Sequence, residues 1–358
     1  MSKIGTYYNS PAPTRRGGYE IYYQHIAAQR RGSALWIPEP SRTLPPQYRR
    51  NGVTIGDLGV ISEFGSFDFL FNICHPRDHP IHPPGLPETF TPLPISPSNI
   101  TQYSEFIGES YLSSESVKNG LVFETSALEG ALLMMPVGSN SADLISKARV
   151  RKFFKDNAEN WYTYANNERE WEVRNGELRL VIGHDKTTAW GMATFSNSTT
   201  EEGPCMLKFK PVESSNVGRT YGWEYSGTAQ VRTGPDRDQM QALRAAEPPQ
   251  DGVEYENQTL FVRTINVTLQ DTVWKALAFD FGEVEVDDDL SGNNMVDPHP
   301  SPPHTDHYRS SKGSRKDLPT SGGQSEPRRV AFENTLHSVA IPTMTPLQLV
   351  TPLVGDRL

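Results

Sequence analysis

Asn175 to Ser196 reads NGELRLVIGHDKTTAWGMATFS. Two apolar runs, ELRLVIG and AWGMATFS, flank the polar pentapeptide HDKTT. Polar turn-forming residues between two such runs predict a β-hairpin, with His184, Asp185 and Lys186 at its tip. The same signal recurs downstream in PCMLKFKPV, YGWEYSGTAQVR and TLFVRTINVTL, which predict three more strands. Upstream, GVTIGDLGVISEFGSFDFLFNI (52–73) alternates glycines with apolar residues. It reads as one or two strands that bend at Gly56, Gly59 and Gly65. GLVFETS and GALLMMP, between Glu115 and Val137, add two short strands.

One segment carries the other period. From Asp143 to Asn166, Leu144, Ala148, Phe154, Ala158, Trp161 and Ala165 fall on one helical face. Ser141 is placed to cap its start, with Ser139 and Asn140 as alternatives. One helix among many short strands and glycine-rich turns predicts an α+β body, mainly antiparallel β and sandwich-like, with one prominent amphipathic helix at about 143–166. Trp190 and Gly191 are expected to pack against that helix.

The ends differ from this 51–285 body. Residues 1–50 are rich in Tyr, Arg and Pro. ALWIPEPSRTLPPQYRR is expected to run extended over the body, anchored by Leu35 and Trp36, because proline fixes φ and biases its predecessor to extended geometry. Residues 286–358 form an acidic, Pro- and Ser-rich tail with one Phe, one Tyr and no Trp. So little bulky apolar surface cannot offset ordering entropy, and about 287–328 is expected to be disordered. The stretch from Arg329 to Val350 turns apolar again, as an edge strand that docks back or as a short linear motif.

Composition limits the function classes. The chain has 358 residues, 34 basic and 43 acidic, for a formal charge of −9. An acidic chain argues against general nucleic-acid binding, which needs a basic face for phosphates. No apolar run approaches the length of a transmembrane helix, and the N-terminus lacks the apolar core of a signal peptide. With only two cysteines, Cys74 and Cys205, a reducing, cytoplasmic location is expected. The basic residues Lys147, Arg149, Arg151, Lys152 and Lys155 read as the solvated face of the helix.

Two constellations stand out chemically. His75, His79 and His82 lie within eight residues beside Cys74 and Asp78. Three imidazoles at that spacing could ligate Zn²⁺. Pro76, Pro80 and Pro83 interrupt any helical register, so a rigid loop whose histidines cap turns is the alternative. His184, Asp185 and Lys186 are candidate ligand-binding residues, because binding residues favour loops. Asp57, Glu63 and Asp68 read as solvent-facing alternates of strands. Nucleophile elbows, phosphate loops and dinucleotide fingerprints are absent from the sequence. Cys74 and His75, being adjacent on an extended chain, point to opposite faces and make a poor dyad.

RGSALWIPEP, then LPPQYRRNGVTIGDLGVISEFGSFDFLFNI, then HPIHPPGLPETFTPL resemble blocks of a lineage-expanded family of basidiomycete (mushroom-forming) fungi. GALLMMPVGS, NAENWYTYAN, NGELRLVIGHDKTTAWGMATFS and ENQTLFVRTINVTL resemble the same family, and the likeness covers about residues 20–270. That family is uncharacterised and offers no catalytic residues to carry over. Some members accompany nucleotide-binding immune-type receptors of fungi, though this chain has no phosphate loop. The resemblance implies a fungal intracellular protein. Three functions remain as expectations. The first is a non-enzymatic recognition protein with a protein partner and no cofactor. The second is a membrane-acting, pore-forming-like immune effector. The third is a metal-dependent hydrolase using His75, His79 and His82 with zinc.

Overall fold

The computed structural model describes residues 16–114, 122–125, 127–196, 205–212, 220–246 and 254–277, and the backbone of Ala331–Asn334. In chain order the elements begin with α1 (Gly18–Ile26), β1 (Ser33–Ala34), α2 (Pro46–Asn51), β2 (Asp57–Ile61) and β3 (Phe67–Asn72). Then come β4 (Ile100–Phe106), β5 (Ser110–Ser113), β6 (Val122–Thr125), β7 (Glu129–Met135), β8 (Ser139–Leu144) and α3 (Ala148–Thr163). The chain continues through β9 (Arg179–Thr187), β10 (Trp190–Ser196), β11 (Cys205–Val212), β12 (Thr220–Ser226) and β13 (Ala229–Gly234). It closes with α4 (Arg237–Ala246), β14 (Gln258–Thr268), α5 (Asp271–Ala276) and β15 (Ala331–Asn334). Every strand pairing is antiparallel, as the fold class required.

Among the described residues the strands form three sheets. In the largest, β9 lies between β14 on one edge and both β2 and β8 on the other; β3, β4, β1 and β15 extend it. A four-stranded sheet has the order β13-β10-β7-β5, and a three-stranded sheet the order β12-β11-β6. The run GALLMMP has no polar alternation because β7 is buried on both faces. Ala131, Leu133 and Met135 join Tyr22 and Ile26 of α1, Trp190, and Leu260 and Phe261 of β14. Leu132 and Met134 face the other way, onto Phe123, Leu207 and Phe209 of the three-stranded sheet. The layers are therefore sheet on sheet, with α1 beside the interface, and α3 on the far face of the largest sheet. There Val150, Phe154, Ala158, Trp161 and Ala165 pack on Leu58, Phe71, Leu180, Ile182 and Val267.

Several boundaries differ from expectation. The helix starts at Ala148, not at 143, because Asp143 and Leu144 pair with Thr101 and Ile100 as the end of β8. Ser141 is thus a strand residue and caps no helix. Ala148 itself is exposed. Beyond Thr163 the helix continues as a π-turn over Tyr164–Glu168. The N-terminal segment is not extended throughout: Gly18–Ile26 and Pro46–Asn51 are helices, the latter begun by a proline where the missing N–H is harmless. Leu35 and Trp36 are buried as anticipated. YGWEYSGTAQVR is two strands, folded back at Gly227 with φ +89°. Trp190 packs against α1, not against α3. Of the apolar end, Ala331–Asn334 pairs with Ile265–Thr268 of β14. The stretch expected to be disordered lies outside the described residues.

Tyr162 ties α3 to the sheet. Its hydroxyl donates to the Val267 carbonyl at 2.8 Å and accepts from the Gly176 N–H at 2.8 Å. Tyr162→Phe keeps the ring and strands both backbone groups. It should lower stability by about 1–2 kcal/mol, read as a lower urea midpoint at unchanged slope; no shift would show that the bridge contributes nothing.

Candidate functional site

Strand geometry sorts the triplet that looked like a hairpin tip. His184, Asp185 and Lys186 lie inside β9, and the expected hairpin does not form. After Thr188 and Ala189 the chain enters β10, which pairs with β7 and β13 of the four-stranded sheet, while β9 pairs with β14, β2 and β8 of the largest one. Side chains alternate across a strand, so His184 and Lys186 share one face and Asp185 takes the other. Asp185 is fully buried. One carboxylate oxygen accepts from Arg31 Nε at 2.6 Å and the other from Arg263 Nη1 at 2.9 Å. Its oxygens are taken by structure rather than offered to a ligand.

The opposite face is the floor of a cleft. In cross-strand register, Lys186 stands beside Asn140 of β8, and Asn140 beside Ser104 of β4. The next row is His184, Ala142 and Gln102. The cleft opens because the sheet forks. β2 pairs with β9 only at Leu180 and Arg179, where Leu58 and Gly59 lie opposite, while β8 pairs from Gly183 to Lys186. At the fork, the Gly56 N–H reaches the Val181 carbonyl at 2.9 Å. The two strands on that edge part there, leaving a cavity of about 930 Å³. Asn51, Thr54 and Ile55 form one wall, and Cys74, His75 and Ile81 another. Glu254 and Glu256 stand at the rim, Glu256 accepting from the Asn140 amide at 2.7 Å.

Lys186 is the unusual member. It is 7% exposed, and its amine donates to the Asn51 carbonyl at 2.8 Å. Among the described residues it has no ion-pair partner. Burial pulls the amine down to about 8, against the opposing pull of Asp57 and Glu256. Beneath it Asp57, expected to face solvent, is fully buried. Its carboxylate accepts from the Thr54 N–H at 2.6 Å and the Asn72 amide at 2.7 Å. Burial nonetheless pushes it up to about 7. Glu63 is exposed and Asp68 half-buried. The half-buried His184 has a shielded Nδ1 without a hydrogen-bond partner. Burial, then Lys186 and Arg263, holds its imidazole well below the ordinary range, so it is neutral at pH 7.

The histidine loop meets the same cleft through His75. The rings of His75 and His79 stack at 4.0 Å and 15°, and His82 lies 6.5 and 6.3 Å from them. Stacked imidazoles aim their nitrogens side by side rather than at one point. Among the described residues no three His, Cys, Asp or Glu side chains converge as a metal site. His79 Nδ1 accepts from the Ile81 N–H at 3.3 Å, the turn-capping role that a rigid loop implies. Arg77 fixes the loop by donating to the Leu86 and Glu88 carbonyls. Burial, then Asp57, pushes the Cys74 thiol up to about 12, so it is no nucleophile beside His75.

Sequence reading picked His75, His184 and Lys186, set Asp57 aside as solvent-facing, and missed Gln102, Ser104 and Asn140. The polar alternates of ITQYSEF were the available signal for the first two. No protein-family model matches the chain, and no curated protein matches it. Among the described residues no helix is long and apolar enough to cross a membrane.

Proposed function

We propose that this chain is a non-enzymatic recognition protein that seats a polar ligand in the fork cleft. The observation that carries the reading is the convergence of under-satisfied polar groups on one face of β9. The Lys186 nitrogen has three N–H donors as an ammonium, or two donors and a lone pair as a neutral amine, and uses one; His184 Nδ1 has no partner. Buried polar groups in folded proteins are normally paired, and a ligand's acceptors would pair these. The remaining groups favour binding over catalysis. The thiol is protonated, and Asp185 is occupied by arginines.

Ser104→Arg tests this without disturbing the core, because Ser104 is exposed on β4 and belongs to the floor row with Asn140 and Lys186. A thermal-shift screen of the full chain against small polar metabolites should find ligands that raise the melting temperature. At about 100 times Kd, binding adds about 2.7 kcal/mol, or roughly 5 °C or more for a body of this size. The shifts should vanish in S104R while its ligand-free melting is unchanged. An empty screen, or shifts that survive in S104R, would overturn the reading.

A further inference from the structure

We propose that Lys186 is a carbonyl-reactive site: the cleft takes an aldehyde or ketone and holds it as an imine on Nζ. This rests on the reading of the fork cleft as a ligand site and adds the chemical class of the ligand. A cationic lysine in a site for anions is ordinarily stabilised by its surroundings. Here the amine is buried, faces a cavity and has no ion-pair partner among the described residues. Those are the conditions under which a desolvated lysine becomes a nucleophile. In its neutral form the amine can keep one N–H on the Asn51 carbonyl, which leaves its lone pair for a carbonyl carbon in the cleft it lines.

The surroundings suit both halves of such a ligand. The imidazole of His184, two residues away on the same face, is neutral and adds no second positive charge. Ile55, Ile81, Ile95 and Ile100 line the cleft and can cover a hydrocarbon portion. Asn140, Gln102 and Ser104 supply donors and acceptors in register beside the amine. In the reaction the Nζ lone pair attacks the carbonyl carbon and forms the C–N bond. The C–O bond then breaks. The oxygen leaves as water, carrying the two hydrogens that the amine loses, and no electrons are exchanged with a third party. If the imine takes up a proton, its single N–H can keep the Asn51 carbonyl as acceptor, so the hydrogen bond survives the change.

Reductive trapping reads this without knowing the natural ligand. The full-length protein is incubated with limiting propanal and cyanoborohydride at pH 7, and alkylated lysines are mapped by peptide mass. With the amine near 8, about a tenth is neutral at pH 7, against about one part in 3,000 for an ordinary lysine. Lys186 should therefore be labelled at least about tenfold faster than Lys152, whose side chain is 81% exposed, even after allowing for its lower basicity and access. S104R should suppress labelling at Lys186 and leave Lys152 unchanged. Labelling of Lys186 no faster than Lys152, or labelling indifferent to S104R, would overturn the proposal. Screen ligands that bind wild type but not S104R, with no trapping at Lys186, would overturn the imine and leave the cleft reading in place.

Discussion

Arg263→Met is expected to destabilise the protein by about 3–5 kcal/mol, the usual consequence of removing one partner from a buried charge network. Arg263 on β14 donates to Asp143 and Asp185, to Ser141 Oγ at 3.0 Å, and to the Ala142 and His184 carbonyls at 3.2 and 2.9 Å. It also reaches the Arg31 carbonyl at 3.3 Å. One guanidinium thus ties β14, β9, β8 and the segment before β1 together. Methionine fills the volume but leaves the fully buried Asp185 with Arg31 alone. Gly183 shows how tightly the group is seated, since a Cβ there would lie 2.1 Å from Asp143 Oδ1 and 2.7 Å from Arg263 Nε. Urea unfolding at pH 7 measures the loss. Arg263→Lys should recover only part of it, because an ammonium cannot present the guanidinium fork. The double variant with Asp185→Asn should cost less than the two single changes added together. A loss under about 1 kcal/mol for Arg263→Met would mean that the network carries little of the stability. The cleft depends on the same tie. If β8 loosens from β9, the row Lys186–Asn140–Ser104 loses its register.

What the sequence made legible follows from how local each cause is. GALLMMP is read as a strand because burial on both faces leaves an unbroken apolar run, and FDFLFN and TLFVRTINVTL because their aromatic and β-branched residues favour strands. The face of α3 is legible because Phe154, Ala158 and Trp161 recur at helical spacing. α1 was hidden for a tertiary reason. GYEIYYQHI is rich in residues that favour strands, yet Ile21, Tyr22, His25 and Ile26 bury one helical side against the four-stranded sheet. β8 was hidden because SNSADL has no apolar alternation; it is a strand because β4 and β9 pair with it on both sides. That same pairing extended β9 through His184–Lys186, whose polar character alone signals a turn. The fork could not be read at all, since it depends on where β2 stops and β8 begins along β9. α4 was missed, since only one helix was expected, although its signal was present: Asp236 accepts from the Gln239 N–H at 2.8 Å, an N-cap pattern before Met240 and Leu243, both buried.

Asp57 should give the protein an unusual pH dependence. An unfolded aspartate titrates near its ordinary 3.8, whereas burial raises the folded one to about 7. Between those values the native chain holds a proton that the unfolded chain has released. Stability therefore falls as pH rises through that window, and the benefit of the neutral acid, fully present below about pH 4, is lost by about pH 7. Three pH units at 1.36 kcal/mol each set an upper scale of about 4 kcal/mol. Thr54 and Asn72 still donate to the ionised carboxylate, which keeps the deprotonated form tolerable. Lys186 has the opposite sign but a different window. Its amine is lowered from 10.5 to about 8, so it adds stability only as pH rises above about 8. Between pH 5 and 7.5 the Asp57 contribution can thus be isolated by comparison with Asp57→Asn, which cannot ionise. Wild type should lose about 2–2.5 kcal/mol more than D57N across that interval in urea titrations. Parallel pH profiles for the two proteins would rule the effect out. Should D57N fold poorly, infrared spectroscopy of wild type provides the second reading, because a buried protonated carboxyl band should vanish near pH 7. A band that disappears near pH 4 would assign Asp57 an ordinary acidity and leave Lys186 beside a full counter-charge. That would raise the Lys186 amine and remove its advantage in carbonyl trapping at neutral pH.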